Sequence, residues 1–98
     1  MNYSFPQLHF HTEYSLLDST VRLKDLFDFA QERGIASLAI TDHGNIDGAV
    51  KFARGCEKLG IKGVIGCEAY LCHSLERVKS KEEKRTHVSL WVKNEQGF

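Results

Sequence analysis

Long apolar segments are missing from this sequence. No run of about eighteen apolar residues occurs in it, so a membrane-spanning helix is not predicted. The first residues, Met1 to Phe5, contain neither the basic region nor the apolar stretch that a secretory leader needs. We therefore expect a cytoplasmic protein with no membrane partner.

Paired cysteines are missing, and the spacing of the three cysteines is unlike that of a cysteine-based site. Cys56, Cys67 and Cys72 are odd in number, and no two of them form a Cys-x-x-Cys pair. A disulfide framework would need an even set, and a thiolate zinc site would need paired spacing. The sequence therefore indicates reduced thiols, and Cys56 is expected to be structural.

An excess of charge of one sign is also missing. Thirteen Lys and Arg residues balance thirteen Asp and Glu residues, so binding of nucleic acid would need a local site. The sequence further lacks a Gly-x-Ser-x-Gly elbow, a Walker-type phosphate loop and a Gly-x-Gly-x-x-Gly turn. These absences argue against a serine hydrolase, a P-loop nucleotidase and a dinucleotide-binding enzyme.

The apolar pattern that is present predicts one small α/β domain. Residues 22–33 and 47–59 repeat apolar side chains at helical spacing, and a glycine follows each segment. Strands are predicted from short apolar runs at 7–11, 35–41, 61–71 and 87–92. The βαβαβ order favours right-handed crossovers and a parallel sheet.

Two histidines lie two residues apart near the start of the chain. In a strand, His9 and His11 share one face, and Leu8 and Phe10 turn to the other face for packing. Asp18 would return a carboxylate to the same point after a short loop. Two imidazoles and a carboxylate suit Zn, Mn or Fe. On spacing alone, an ordinary core or surface pair remains the alternative.

Further polar residues fall where predicted strands end. The carboxyl ends of parallel strands meet at one edge of a sheet, as in α/β barrels. His87 begins its strand, so it reaches that edge only if the strand forms an antiparallel hairpin with the one before it. The candidate ligands are His9, His11, Asp18, His43, Glu68 and His87, with Asp42 as a further ligand or as the acceptor of an imidazole N–H. This surplus for one ion predicts a centre of two or more ions, as in phosphoesterases.

The segment from His73 to Thr86 is rich in charge of both signs. Such segments are usually solvated loops, which is the interpretation favoured here. Direct contact with DNA is the alternative.

Four stretches of the sequence resemble the PHP (polymerase and histidinol phosphatase) domain family. They are residues 9–18 (HFHTEYSLLD), 40–45 (ITDHGN), 65–70 (IGCEAY) and 87–94 (HVSLWVKN). The similarity covers nearly the whole chain. Within the family it is greatest to the domains at the amino terminus of bacterial replicative DNA polymerase III alpha subunits.

The resemblance implies a distorted (β/α)7 TIM-like barrel with a three-metal centre, and the six candidate ligands match the family motif. It implies that residues 1–98 are the N-terminal part of this barrel, without the later ligands and the polymerase domains. About half a barrel would leave an open sheet edge, so we expect poor behaviour in isolation.

The resemblance also implies a function. The parent would be a DNA polymerase that uses Mg²⁺, with DNA and other subunits of the DNA polymerase III holoenzyme as partners. Its PHP centre would hydrolyse phosphodiesters from the 3′ end. The alternatives are a free-standing metal-dependent phosphoesterase and a non-catalytic structural module.

Overall fold

The computed structural model describes residues 7–72 and 86–98. Its helices and strands, in chain order, are α1 (Leu23–Arg33), β1 (Ser37–His43), α2 (Ala49–Leu59), β2 (Lys62–Leu71) and β3 (Thr86–Trp91). Both predicted helices are confirmed. Each ends at a glycine in the left-handed region, Gly34 with φ 63° and Gly60 with φ 67°, where a residue without a Cβ is favoured.

The three strands form one mixed sheet in the order β1-β2-β3. β1 runs parallel to β2, and this pairing places His43 beside Glu68. β3 runs antiparallel to β2, with Tyr70 opposite His87. The predicted hairpin is therefore confirmed, and a wholly parallel sheet is excluded for these strands.

The prediction of a strand at residues 7–11 is wrong. This segment lies beside β1, where the Thr41 N–H donates to the Phe10 carbonyl at 2.7 Å. The Phe10 N–H, however, donates to the Thr41 hydroxyl at 2.9 Å, so a side chain replaces a backbone carbonyl. The regular ladder does not continue. Phe10 packs against the core as expected, whereas Leu8 is 44% exposed, contrary to expectation.

The core lies on one face of the sheet. Leu38 and Ile40 of β1 are buried with Leu26 of α1 and with Phe52 and Cys56 of α2. Burial raises the pKa of the Cys56 thiol to about 11, which keeps the thiol protonated as expected of a packing residue. Because side chains alternate along a strand, the faces of β1 are divided between the core and the polar residues described below.

These elements establish an α/β fold with a three-stranded sheet, and closure into a (β/α)7 barrel stays a prediction. Within the described ranges, no helix is both long and apolar enough to cross a bilayer. The charged segment at 73–85, with its expected loop and the alternative DNA contact, lies outside the described residues.

Gly66 allows β3 to approach β2. A Cβ at this position would lie 2.6 Å from the Leu90 carbonyl oxygen and 2.9 Å from the Thr41 Cγ2 atom. A glycine in a strand often marks such a close approach. The position of β3, and with it that of His87, depends on the absence of this side chain.

We expect Gly66→Ala to lower the free energy of unfolding by about 1–3 kcal/mol, because the extra methyl group overpacks the β2–β3 contact. Urea unfolding of the intact protein measures this change. Gly97→Ala is the matched control, because a Cβ there meets no atom closer than 3.5 Å. Equal stability of the two variants would contradict this account of the hairpin.

Candidate metal centre

The carboxylate of Glu68 lies at the centre of a group of histidines. Its side chain is only 8% exposed, although it carries a charge. The His9 and His11 Nε2 atoms lie 2.7 and 3.0 Å from Glu68 Oε2. His87 Nδ1 lies 2.9 Å from Oε1, and His43 Nε2 lies 4.0 Å from Oε2. One carboxylate therefore faces four imidazoles.

The sheet brings two of these imidazoles to Glu68. His43 is the register partner of Glu68 in the parallel pair. His87 pairs with Tyr70, two residues beyond Glu68, so the side chains of all three share one face. The Tyr70 ring packs edge-on against the His87 ring, with centroids 4.9 Å apart. The predicted meeting of His87 and Glu68 is confirmed.

The segment before α1 brings the other two imidazoles. His9 and His11 both point to Glu68, although their segment is not a regular strand. The His11 ring stacks on the His43 ring, with centroids 4.1 Å apart and an interplanar angle of 18°. Their convergence is therefore as predicted, although the strand from which it was predicted does not form.

Asp18 lies at the margin of the cluster. Its Oδ2 atom is 3.5 Å from His43 Nε2, and 55% of its side chain is exposed. The preceding residue, Leu17, has a φ of 69°, a conformation that non-glycine residues rarely adopt. The structure therefore places this carboxylate next to one imidazole, farther out than Glu68.

Asp42 does not accept a hydrogen bond from any imidazole of the described residues, contrary to one prediction for it. Side chains alternate along β1, so Asp42 shares the core face with Leu38 and Ile40, and His43 lies on the opposite face. The Asp42 carboxylate instead accepts hydrogen bonds from Thr12 and Ser15. Sequence reasoning missed these two residues. The available signal was a strand carboxylate on the core face, which requires buried donors.

The histidines change the acidity of Glu68. The hydrogen bond from His9 is the largest cause that lowers the pKa of the Glu68 carboxyl below its ordinary 4.5. Burial opposes this effect, and the nearby charges of His43, His11 and His9 add to it. The carboxylate is therefore held in its ionised form, which is the form that coordinates a metal.

The donor atoms form two overlapping groups of three. One group is His9, His11 and Glu68, and the other is His43, Glu68 and His87. The atoms within each group lie within 4.8 Å of one another. The buried Nδ1 atoms of His11 and His43 have no hydrogen-bond partner among the described residues. A compact set of imidazole and carboxylate donor atoms, in which two ring nitrogens have no hydrogen-bond partner among the described residues, fits a metal site.

The lowered pKa of Glu68 predicts a pH dependence. A depressed carboxyl pKa stabilises the fold above the ordinary value of 4.5, and this contribution is lost as the pH falls through the lowered pKa. In metal-free protein, His9→Ala should move the pKa back up, because it removes the largest cause. Carbon-13 NMR of the Glu68 carboxyl measures this shift. Leu8→Ala, at the adjacent position, is the control, and an equal shift in both variants would refute the assigned cause.

This chain is similar in sequence to known proteins. The sequence profile of the family described as the PHP domain matches residues 7–98. The DNA polymerase III subunit alpha of Helicobacter pylori is 46% identical over 98 residues, covering 99% of this chain. That of Campylobacter jejuni is 45% identical over 94 residues, covering 96% of the chain. The chain spans only 8% of the length of each of these relatives.

Two solved structures are similar to this chain. One, described as a metal-dependent phosphoesterase from Bifidobacterium adolescentis, aligns with a TM-score of 0.64 and 24% identity. That alignment covers 86% of this chain and 26% of the other, and its low identity supports the fold alone. An amidohydrolase from Chromobacterium violaceum aligns with a TM-score of 0.59 and 32% identity, over 74% of this chain and 24% of the other. From the profile match over almost its whole length, this chain belongs to the PHP domain family.

Proposed function

We propose that the histidine cluster is a centre for two or more divalent metal ions. His9, His11 and Glu68 would hold one ion, and His43, Glu68 and His87 would hold a second. Glu68 belongs to both groups and would help to hold each ion, and Asp18 would add a carboxylate on the His43 side. The observation that supports this assignment best is that four imidazoles lie within 4.0 Å of one buried carboxylate.

The donor set restricts the metal. Imidazole and carboxylate ligands together suit Zn, Mn or Fe. Such ions, when bound, stabilise charge on phosphoryl oxygens and activate water for attack. The chain's own residues would orient the ions, and the side chains of His9 and His87, which are 56% and 44% exposed, lie at the outer edge of the cluster. Those of His11 and His43, by contrast, are mostly covered.

We propose phosphodiester hydrolysis at the 3′ end of DNA as the reaction of this centre. The proposal draws on the DNA polymerase III alpha subunits to which the chain is similar. Residues 1–98 would then be the N-terminal part of the PHP barrel of such a polymerase. The whole protein would synthesise DNA with Mg²⁺ and act with the other subunits of the DNA polymerase III holoenzyme.

A structural role for the metal is the second candidate. The donors come from four separate parts of the chain, namely the segment before α1, β1, β2 and β3. An ion bound to them would therefore link these parts and stabilise the domain without catalysing a reaction.

The metal centre predicts a measurable metal content. Elemental analysis of the intact protein should find about two or three ions per chain beyond any in other domains. The double variant His9→Ala with His11→Ala should lose metal. Its rate of phosphodiester hydrolysis at the 3′ end of DNA should also fall. The decrease should exceed the roughly 10- to 100-fold that follows loss of one residue hydrogen-bonded to a metal ligand.

Asp28→Ala is the control, because Asp28 is an exposed carboxylate on α1 and belongs to neither group of donors. It should retain both metal and hydrolysis. A protein that binds no metal at the cluster would contradict the proposal. The structural role would be established instead if the double variant lost metal and stability while the wild-type protein itself did not hydrolyse DNA.

A further inference from the structure

The carboxylate of Asp42 is buried and has no place in the proposed metal groups. Asp42 is only 1% exposed, and Thr12 and Ser15 beside it are fully buried. The carboxylate accepts hydrogen bonds from the Thr12 N–H at 2.6 Å and from the Thr12 hydroxyl at 2.9 Å. The Ser15 hydroxyl donates a third at 2.7 Å. All three donors are uncharged and belong to one short loop.

The same loop is tied to the strand that carries His43. The Ser15 hydroxyl, which donates to Asp42, accepts a hydrogen bond from the backbone N–H of His43 at 3.0 Å. The Ser15 carbonyl accepts the Asp18 N–H at 3.0 Å, and the Thr12 carbonyl accepts the Ser15 N–H at 2.9 Å. A continuous set of hydrogen bonds therefore runs from β1 through the loop to Asp18.

We propose that Asp42, with the hydroxyls of Thr12 and Ser15, holds His11, Asp18 and His43 in position before any metal binds. The inference rests on the proposed function in one respect, because these three residues act as ligands only if the centre takes metal. Asp42 is then a positioning residue that acts from the opposite face of β1.

The places of His11 and Asp18 in the sequence explain how the hydrogen bonds of Thr12 and Ser15 hold them in position. His11 is bonded covalently to Thr12, and Asp18 lies three residues after Ser15. A shift of the loop relative to β1 would therefore move His11 and Asp18 together, away from His43. The hydrogen bonds to Asp42 resist such a shift, because bonds to an ionised acceptor are shorter and stronger than neutral ones.

The hydrogen-bond donors around position 42 favour a carboxylate there over the amide of an asparagine. The Ser15 hydroxyl accepts from the His43 N–H, so its own proton is free to be donated to Asp42. Both Asp42 oxygens are acceptors and meet donors only. Hydrogen bonds aligned in this way polarise one another, which strengthens the set.

A matched pair of variants separates the hydroxyl of Thr12 from its shape. Thr12→Val keeps the shape and removes the hydroxyl, whereas Thr12→Ser keeps the hydroxyl and removes a methyl group. Ser15→Ala removes the link to His43. Ile40→Val is the control for stability, because it shortens a buried β1 side chain outside the hydrogen-bonded set.

Two measurements on the intact protein test the proposal. In protein freed of metal by a chelator, hydrogen exchange of the peptide covering 11–19 should be faster in Thr12→Val and Ser15→Ala than in the wild type. The affinity for Co²⁺, measured by chelator competition and by the Co²⁺ absorption spectrum, should fall about 10- to 100-fold in the same variants. Thr12→Ser and Ile40→Val should keep wild-type exchange in that peptide and wild-type affinity.

The outcomes separate this inference from the proposed function. Co²⁺ affinity within twofold of the wild type in Thr12→Val and Ser15→Ala would overturn the inference, as would unchanged exchange at 11–19. A wild-type protein that binds no Co²⁺ would overturn the proposed function instead. In that case, faster exchange in the two variants but not in Ile40→Val would still support the positioning role of Asp42, and equal exchange in all variants would refute it.

Discussion

The Glu68 carboxylate is the one group that every imidazole of the cluster approaches. Imidazoles packed this closely would repel one another if several carried charge, and a buried carboxylate without donors would be costly. The close imidazoles of His9, His11 and His87 surround the carboxylate with ring nitrogens, and its negative charge favours their close approach. The arrangement depends on the register of β1 with β2 and on the hairpin to β3, which set His43 and His87 around Glu68.

The alternation of side chains along β1 lets one strand serve two purposes. Leu38, Ile40 and Asp42 share the face that packs against the helices, and His43 lies on the face of Glu68. At the end of the strand, the core face changes from apolar packing to a buried carboxylate with three donors. The hydrophobic core and the candidate centre are thus joined through consecutive residues of one strand.

Much of this arrangement was predictable because it follows from local patterns. Helical spacing and terminal glycines gave α1 and α2, and the two-residue spacing of His9 and His11 gave their common direction. The position of His87 at the start of its strand, rather than its end, indicated the hairpin. The strand at 7–11 could not be excluded from sequence, because a side chain, the Thr41 hydroxyl, takes the place of a backbone acceptor there. The partners of Asp42 were missed for a similar reason, since they depend on contacts between residues 27 to 30 positions apart.

The separation of the donors along the chain has a consequence for protein synthesis. His9 and Glu68 lie 59 residues apart, and Glu68 is the donor common to both groups. At synthesis rates of about 5–20 residues per second, His9 is added to the chain roughly 3–12 seconds before Glu68. Through that interval the first imidazoles have no carboxylate partner from β2. If the centre takes metal as proposed, an ion that needs Glu68 could bind only after the second strand has been made, when β1 and β2 can already pair as a sheet.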